Sequence, residues 1–295
     1  MSVIKSFSVG NGDTFYIRHG SDSFTMIDCH LSDFNQKRII SELKTQSSDK
    51  GIKRFISTHP DEDHIRGLKL IDQEMPIVNF YCVKNRVTKE NESPDFIFYR
   101  KLREDTEKTY HLSKDCVRKW LNDGSSERSS AGLQICWPNV ENAEYKKALA
   151  VAESGGSPNN TSAVIRYSLN NGCSFLWMGD LETAFMEAIV NDIELKKTDI
   201  VFAAHHGRAS GRVPSSWLKT LDPQVIVLGE ADSIHLNYYQ GFNTITQNSA
   251  GDITFDCGPG YTDLFVSEDG YSADFLNNSL VQKSGYGYYI GSLNH

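Results

Sequence analysis

Between Ser57 and His64 the chain reads Ser57-Thr58-His59-Pro60-Asp61-Glu62-Asp63-His64, with four residues at the spacing His-x-Asp-x-Asp-His directly after the apolar pair Phe55-Ile56. Unpaired charge at the mouth of a buried strand is costly, so two imidazoles and three carboxylates packed this closely point to a cation or a catalytic task. Other apolar runs end just as abruptly in ligand-type residues: Phe175-Leu176-Trp177-Met178-Gly179-Asp180, Val201-Phe202-Ala203-Ala204-His205-His206-Gly207, and more weakly Val225-Ile226-Val227-Leu228-Gly229 followed by His235. Strand ends gather sequence-distant side chains along one sheet edge. Metal-dependent hydrolysis needs such a set, because a dinuclear site with cations about 3.5–4 Å apart, commonly bridged by a carboxylate, supplies a hydrolytic water ionised near neutral pH.

The elements that would position these residues are readable from period and punctuation. Residues 3–9 and 14–18 read as a strand pair around Asn11-Gly12-Asp13, residues 23–28 as a third strand, and residues 33–44 as a helix with Ser32 as its cap. A short strand at 53–56 then delivers the acidic cluster, so the cluster lies on a strand-end loop of a strand–helix–strand unit, where layered α/β folds place their sites. Residues 77–83 form a further strand. Tyr99, Leu102, Thr106, Tyr110, Ser113, Val117 and Trp120 recur at helical spacing, which predicts a long helix over 95–121. Strands are expected at 132–137, 200–204 and 224–228, helices at 141–152 and 181–190, and a hairpin at 163–169 and 174–178 around Asn170-Asn171-Gly172. The tail from about residue 250, rich in Gly, Tyr and Phe, reads as short strands.

Composition bounds the class. With 295 residues, 39% hydrophobic and 23% charged, the chain suits a soluble globular protein of one large domain or two small ones, and the single domain is the expectation taken. That domain spans 1–295, with a helical insertion at about 85–131 and a strand-rich extension from about 250. No apolar run approaches the ~18 residues of a membrane span, and the first residues lack the apolar stretch of a secretory signal. The six cysteines form no CxxC pair and read as reduced, buried thiols of a cytoplasmic protein. A net charge of −8 argues against broad electrostatic binding to long nucleic acid. Against that balance, residues 84–119 carry ten Lys and Arg and seven Asp and Glu, a local excess of about +3. That segment is either a solvated helix face or a flap for an anionic substrate.

The ordered set resembles the metallo-β-lactamase superfamily of metal-dependent hydrolases, and more closely the C-terminal hydrolase domain of bacterial DNA-uptake competence channel proteins and their stand-alone relatives. The residues that carry the likeness are Val9-Gly10-Asn11-Gly12-Asp13, Met26-Ile27-Asp28, Thr58 to Gly67, Asn159-Asn160-Thr161-Ser162, Leu176 to Asp180 and His205-His206-Gly207. The resemblance implies an α/β fold, a four-layer αββα sandwich with metals at one sheet edge. It implies His59 and Asp61 as ligands of a first metal, Asp63 and His64 of a second, and Asp180 as the bridge. His205, first after its strand, is the expected next ligand, and His206 the proton donor or phosphate contact.

Two departures stand out. Asp61 replaces the commoner second histidine, and Asn159-Asn160-Thr161-Ser162 stands where the mid-chain metal histidine usually falls. Oxygen ligands favour harder ions, so Mn²⁺ or Mg²⁺ suits the first site while the histidine-bearing second still suits Zn²⁺.

The resemblance and the residues together imply one or two divalent ions (Zn²⁺ or Mn²⁺) and a metal-bound hydroxide as nucleophile, with Asp63 and His206 catalytic. The expected substrate is a phosphodiester: a nucleotide or short single-stranded nucleic acid. Alternatives are a lactone, thioester or other acyl hydrolase, and a non-catalytic metal-binding partner subunit. Around the ligands, Asp28 is expected to orient an imidazole, Asp13 to form a turn or do the same, Asn160 and Ser162 to contact substrate, and Arg208 and His235 to sit at the rim. Asp180 would also serve as a helix cap.

Overall fold

The computed structural model describes residues 1–232, 237–278 and 285–295; His235 lies outside them. In chain order the strands are β1 (Ser2–Ser6), β2 (Phe15–Arg18), β3 (Ser23–Ile27), β4 (Cys29–His30), β5 (Ile52–Ser57), β6 (Phe80–Val83), β7 (Thr109–Leu112), β8 (Leu133–Trp137), β9 (Val164–Ser168), β10 (Ser174–Trp177), β11 (Ile200–Phe202), β12 (Val225–Leu228), β13 (Thr244–Thr246), β14 (Ile253–Gly258), β15 (Tyr261–Val266) and β16 (Tyr288–Asn294). The helices are α1 (Gln36–Ser47), α2 (Glu62–Ile65), α3 (Leu68–Glu74), α4 (Pro94–Glu104), α5 (Ala143–Glu153), α6 (Thr183–Ala188), α7 (Ser215–Leu221) and α8 (Gln247–Ala250).

Two sheets form, one of nine strands in the order β16-β15-β14-β1-β2-β3-β5-β6-β7 and one of six in the order β13-β12-β11-β10-β9-β8. Period-2 alternation decides how they stack. Ile4, Phe15, Ile17, Ile27 and Ile56 from the first meet Ile165, Phe175, Trp177, Ile200, Phe202 and Val227 from the second in one apolar layer. The alternate residues face outward. Tyr16, Met26, Phe55 and Phe80 pack under α1, α3 and α4, and Trp137, Val164, Leu176, Val201 and Ile226 pack under α5, α6 and α7. The result is the four-layer αββα sandwich that the motifs imply.

Parallel pairing runs through β3-β5-β6-β7 and through β10-β11-β12. Their carboxyl ends therefore share one edge of the sandwich, the edge where open α/β sheets place ligands. Beneath it lies an aromatic layer, with ring centroids 4.9 Å apart for Phe15–Phe202 and 5.1 Å for Trp177–Phe202.

The long helix expected over 95–121 is not formed. α4 ends at Glu104, where the Asp105 backbone turns extended and its carboxylate accepts from Glu107 N and Lys108 N. A short polar side chain that satisfies nearby amides competes with helix continuation. The β-favouring run Thr109-Tyr110-His111-Leu112 then adds β7 to the large sheet. Ser32 is not the cap of α1; its amide instead donates to Asn35 Oδ1. The tail strands β14–β16 continue the large sheet, with β14 directly beside β1. All six cysteines are free thiols, Cys116 half-buried and the others buried. No helix among the described residues is long and apolar enough to cross a membrane.

Candidate metal centre

The turns after β3, β5, β10 and β11 converge. Backbone bonds lock them together: Asp28 N to Ile56 O at 2.9 Å, Ala163 N to Thr58 O at 3.0 Å, and His205 N to Gly179 O at 2.9 Å. The backbone is strained here, since Asp28, His205 and His206 all have positive φ (54°, 52° and 56°). Such conformations persist where surrounding structure enforces them, and they concentrate at functional sites.

Asp180 is the hub. Its Oδ1 lies 3.0 Å from His64 Nε2. Its Oδ2 lies 3.6 Å from His205 Nε2, 3.7 Å from His206 Nε2 and 3.9 Å from His59 Nε2. Asp63 Oδ2 faces His206 Nε2 at 3.4 Å. The far side of each imidazole is held. His64 Nδ1 meets Asp28 Oδ2 at 2.8 Å, His206 Nδ1 meets Asp13 Oδ1 at 3.1 Å, His59 Nδ1 meets Thr58 Oγ1 at 3.2 Å, and His205 Nδ1 meets Ser210 Oγ at 2.9 Å. Pinning one ring nitrogen to a carboxylate or hydroxyl fixes how the other is presented, as second-sphere partners of metal-bound histidines do.

Burial alone would keep these groups neutral, and the charges decide otherwise. His64 is buried, yet Asp180 and Asp28 hold its pKa well above the ordinary value. His206 is likewise lifted, to about 10, by Asp13 and Asp180 against its own burial. Burial and the charge on His64 push His59 down to about 4. Burial opposes charge on Asp180 and Asp63 too, but His64 and His206 keep both well below the usual carboxylate range. Protonated imidazoles thus balance a knot of carboxylates that demands positive charge.

Whether a cation fits is decided by the inward atoms. His59 Nε2 is buried without a hydrogen-bond partner, while the buried His64 Nε2 and His206 Nε2 face only the carboxylates of Asp180 and Asp63. Orphaned buried polar atoms are rare and call for an explanation. One ligand atom from each of Asp13, His64, Asp180 and His206 lies within 4.8 Å of all the others. Imidazole nitrogen and carboxylate oxygen are the donors that divalent transition ions take. The donor set fits a divalent metal.

Not every expected residue joins. Asp61 caps α2, accepting from Glu62 N at 3.1 Å, and its carboxylate is engaged by Lys89 Nζ at 2.8 Å rather than turned to the hub. Asn160 exchanges two bonds with Glu182, at 2.9 and 3.0 Å. Ser162 Oγ donates to Asn159 O and accepts from Asp180 N at 3.0 Å, so it positions the hub's backbone. Asp180 is not a helix cap, because α6 begins later, behind Glu182. Arg208 reaches Asn11 Oδ1 and approaches His205 Nε2 at 3.5 Å, at the rim. Asp13, which the sequence leaves between turn former and imidazole partner, stands within the cluster. Its partner His206 is 193 positions away, so nothing local marks the pairing.

No family model and no curated protein matches the sequence. Among solved structures, CmlA, a diiron β-hydroxylase from Streptomyces venezuelae, is similar at 12% identity and a TM-score of 0.41, aligned over 78% of this chain and 44% of that one. The chain thus spans less than half of that protein. A putative Zn-dependent hydrolase of the metallo-β-lactamase superfamily from Thermotoga maritima is similar at 10% identity and a TM-score of 0.32, over 80% of this chain and 79% of that one.

Proposed function

We propose that the chain is a metal-dependent hydrolase of phosphodiesters, acting on nucleotides or single-stranded nucleic acid with one or two divalent ions, Zn²⁺ or Mn²⁺. The observation that supports it most is the convergence of the buried His59, His64 and His206 Nε2 atoms on the Asp180 carboxylate. His59, His64, Asp180, Asp63 and His206 would hold the ions. Bound ions supply Lewis acidity toward substrate oxygen and a water that ionises near neutral pH.

The chain's own residues do the rest. Asp28 and Asp13 fix the imidazole orientations through His64 and His206. Asp63, 24% exposed, is the carboxylate at the hub open to an incoming water and its proton. Of the histidine pair, the buried His206 is the better metal donor. His205 is half-buried beside Ser210 and Arg208, which suits contact with the phosphate and proton delivery to the leaving oxygen. This reverses the roles suggested by their order after the strand. Phosphate is favoured over acyl substrates because Arg208 presents a cationic donor at the rim.

Hydrolysis of bis-p-nitrophenyl phosphate with Mn²⁺ or Zn²⁺, beside Asp63→Asn, tests the reading. Turnover that requires both the ion and Asp63 supports it. Absence of turnover with either ion, alongside metal-dependent cleavage of a thioester or lactone, overturns the phosphodiester assignment.

A further inference from the structure

The edge of the sandwich opposite the metal centre gathers a second set of ligand-type side chains. Cys173 precedes β10 and Asp199 precedes β11, at the amino ends of two strands whose carboxyl ends lead to Asp180 and His205. Across from them, the large sheet supplies Cys257 in β14 and His295 just after β16. Backbone bonds already draw these segments together, Gly260 N to Asn171 O at 2.8 Å and His295 N to Gly260 O at 3.0 Å. Both thiols are buried, and the His295 side chain is only 7% exposed.

The donor atoms face one another. One ligand atom from each of Cys173, Asp199 and His295 lies within 4.8 Å of the other two. Ser174 N and Oγ both donate to Asp199 Oδ2, at 2.8 and 2.7 Å, which leaves Oδ1 for other partners. His295 Nε2 meets Thr262 Oγ1 at 2.9 Å. A proton on Nε2 directed to that hydroxyl leaves the Nδ1 lone pair toward Asp199, as outer partners set the ring of a metal-bound histidine. Asp199 Oδ1 and His295 Nδ1 stand 3.6 Å apart. That is long for a hydrogen bond, and close to the roughly 3.4 Å that nitrogen and oxygen keep on one tetrahedral zinc. Cys173 Sγ has only weak company, with Ser174 O at 3.8 Å, the Thr262 hydroxyl and the Cys257 thiol.

Sulfur, nitrogen and oxygen donors in one covered corner select a particular ion. Thiolate suits Zn²⁺, whereas Mn²⁺ prefers an all-oxygen shell. The competing occupant is the Gln224 amide, whose Nε2 lies 3.0 Å from Asp199 Oδ1 and 3.1 Å from His295 Nδ1. A bound ion would displace it.

We propose that Cys173, Asp199 and His295 form a second, structural Zn²⁺ site, with Cys257 or a water as the fourth ligand, that ties the end of the large sheet to the small one. Binding forms a zinc–sulfur bond and releases the Cys173 thiol proton to solvent. The site shares no residue with the hub at Asp180, and the hydrolase reading can fail without affecting it.

Cobalt distinguishes the two sites, because the hub contains no sulfur. Co²⁺ is titrated into the reduced full-length chain, and the near-ultraviolet sulfur-to-cobalt charge-transfer absorption is followed. Wild type is compared with Cys173→Ser, with His295→Gln, with Cys116→Ser as a thiol control, and with Asp63→Asn at the hub. The expected result is a band in wild type that Zn²⁺ abolishes by displacement. Cys116→Ser and Asp63→Asn should keep it, and Cys173→Ser and His295→Gln should lose it with unchanged circular dichroism. His295→Gln lies at the chain end rather than in the core, so it decides the matter even where Cys173→Ser does not fold. A band absent from wild type, retained by either site variant, or lost with Cys116→Ser or Asp63→Asn overturns the proposal. In each of those cases Asp199, Gln224 and His295 form a hydrogen-bonded corner and nothing more.

Discussion

Asp28 Oδ2 lies 2.8 Å from His64 Nδ1, and the same carboxylate accepts from Thr58 N at 2.7 Å and Thr58 Oγ1 at 2.5 Å. One buried side chain at the end of β3 therefore fixes both the first residue after β5 and the imidazole that faces Asp180. An ionised carboxylate only accepts, so His64 must present Nδ1–H to it, which leaves Nε2 directed at the hub.

Asp28→Asn tests that relationship with little change in shape. Asparagine tolerates the φ of 54° at this position and can still accept from Thr58. Its amide, though, can meet Nδ1 as a donor and move the imidazole proton to Nε2. We expect Mn²⁺ and Zn²⁺ to bind roughly 10–100-fold more weakly, the usual cost of losing a second-sphere partner, with unchanged circular dichroism. A metal titration that gives wild-type affinity would show that Asp28 does not set the tautomer.

Gly179 carries the turn that delivers Asp180. Its φ is +51°, and an added Cβ would meet Ser162 Oγ at 2.7 Å and Thr58 Oγ1 at 3.0 Å. Both neighbours are committed, Ser162 to Asp180 N and Thr58 to Asp28, so neither can yield without loosening the hub. Gly179→Ala should cost about 1–3 kcal/mol of stability, the range for an enforced left-handed residue. Thermal unfolding in EDTA reads this without interference from metal affinity, and a Tm within about 1 °C of wild type would contradict it.

Sequence pattern carries the strand-end residues well, because an apolar run that stops at His or Asp combines burial and chemistry in one short window. His59, Asp63, His64, Asp180, His205 and His206 are all found that way and all meet at the hub. What escapes is set by long-range pairing. Asp13 looks like any carboxylate beside an Asn-Gly turn until the sandwich closes and brings His206 to it. Asp61 has the spacing of a ligand, but Lys89, from the loop after β6, engages its carboxylate. The helical spacing past residue 104 fails for the opposite reason, since Asp105 ends the helix locally and the edge of the sheet offers Thr109–Leu112 a ladder that a lone helix cannot match.

Asp199, at the foot of β11 and away from the metal centre, predicts the acid response. Its burial opposes charge, but His295 and hydrogen bonds from Ser174 N (2.8 Å), Ser174 Oγ (2.7 Å) and Gln224 Nε2 (3.0 Å) hold its carboxyl below the usual range. A pKa depressed on folding contributes stability that is fully present above the unfolded value, about 3.9, and is lost as pH falls through the folded one. Asp199→Asn should therefore be less stable than wild type at pH 7, because its amide turns a donor toward Ser174 N. The gap should narrow as pH drops below about 4, where the unfolded chain takes up a proton at this carboxyl that the folded protein still resists. Urea unfolding midpoints over that series measure the gap directly, and two curves that stay parallel down to pH 2 would remove Asp199 from the acid transition.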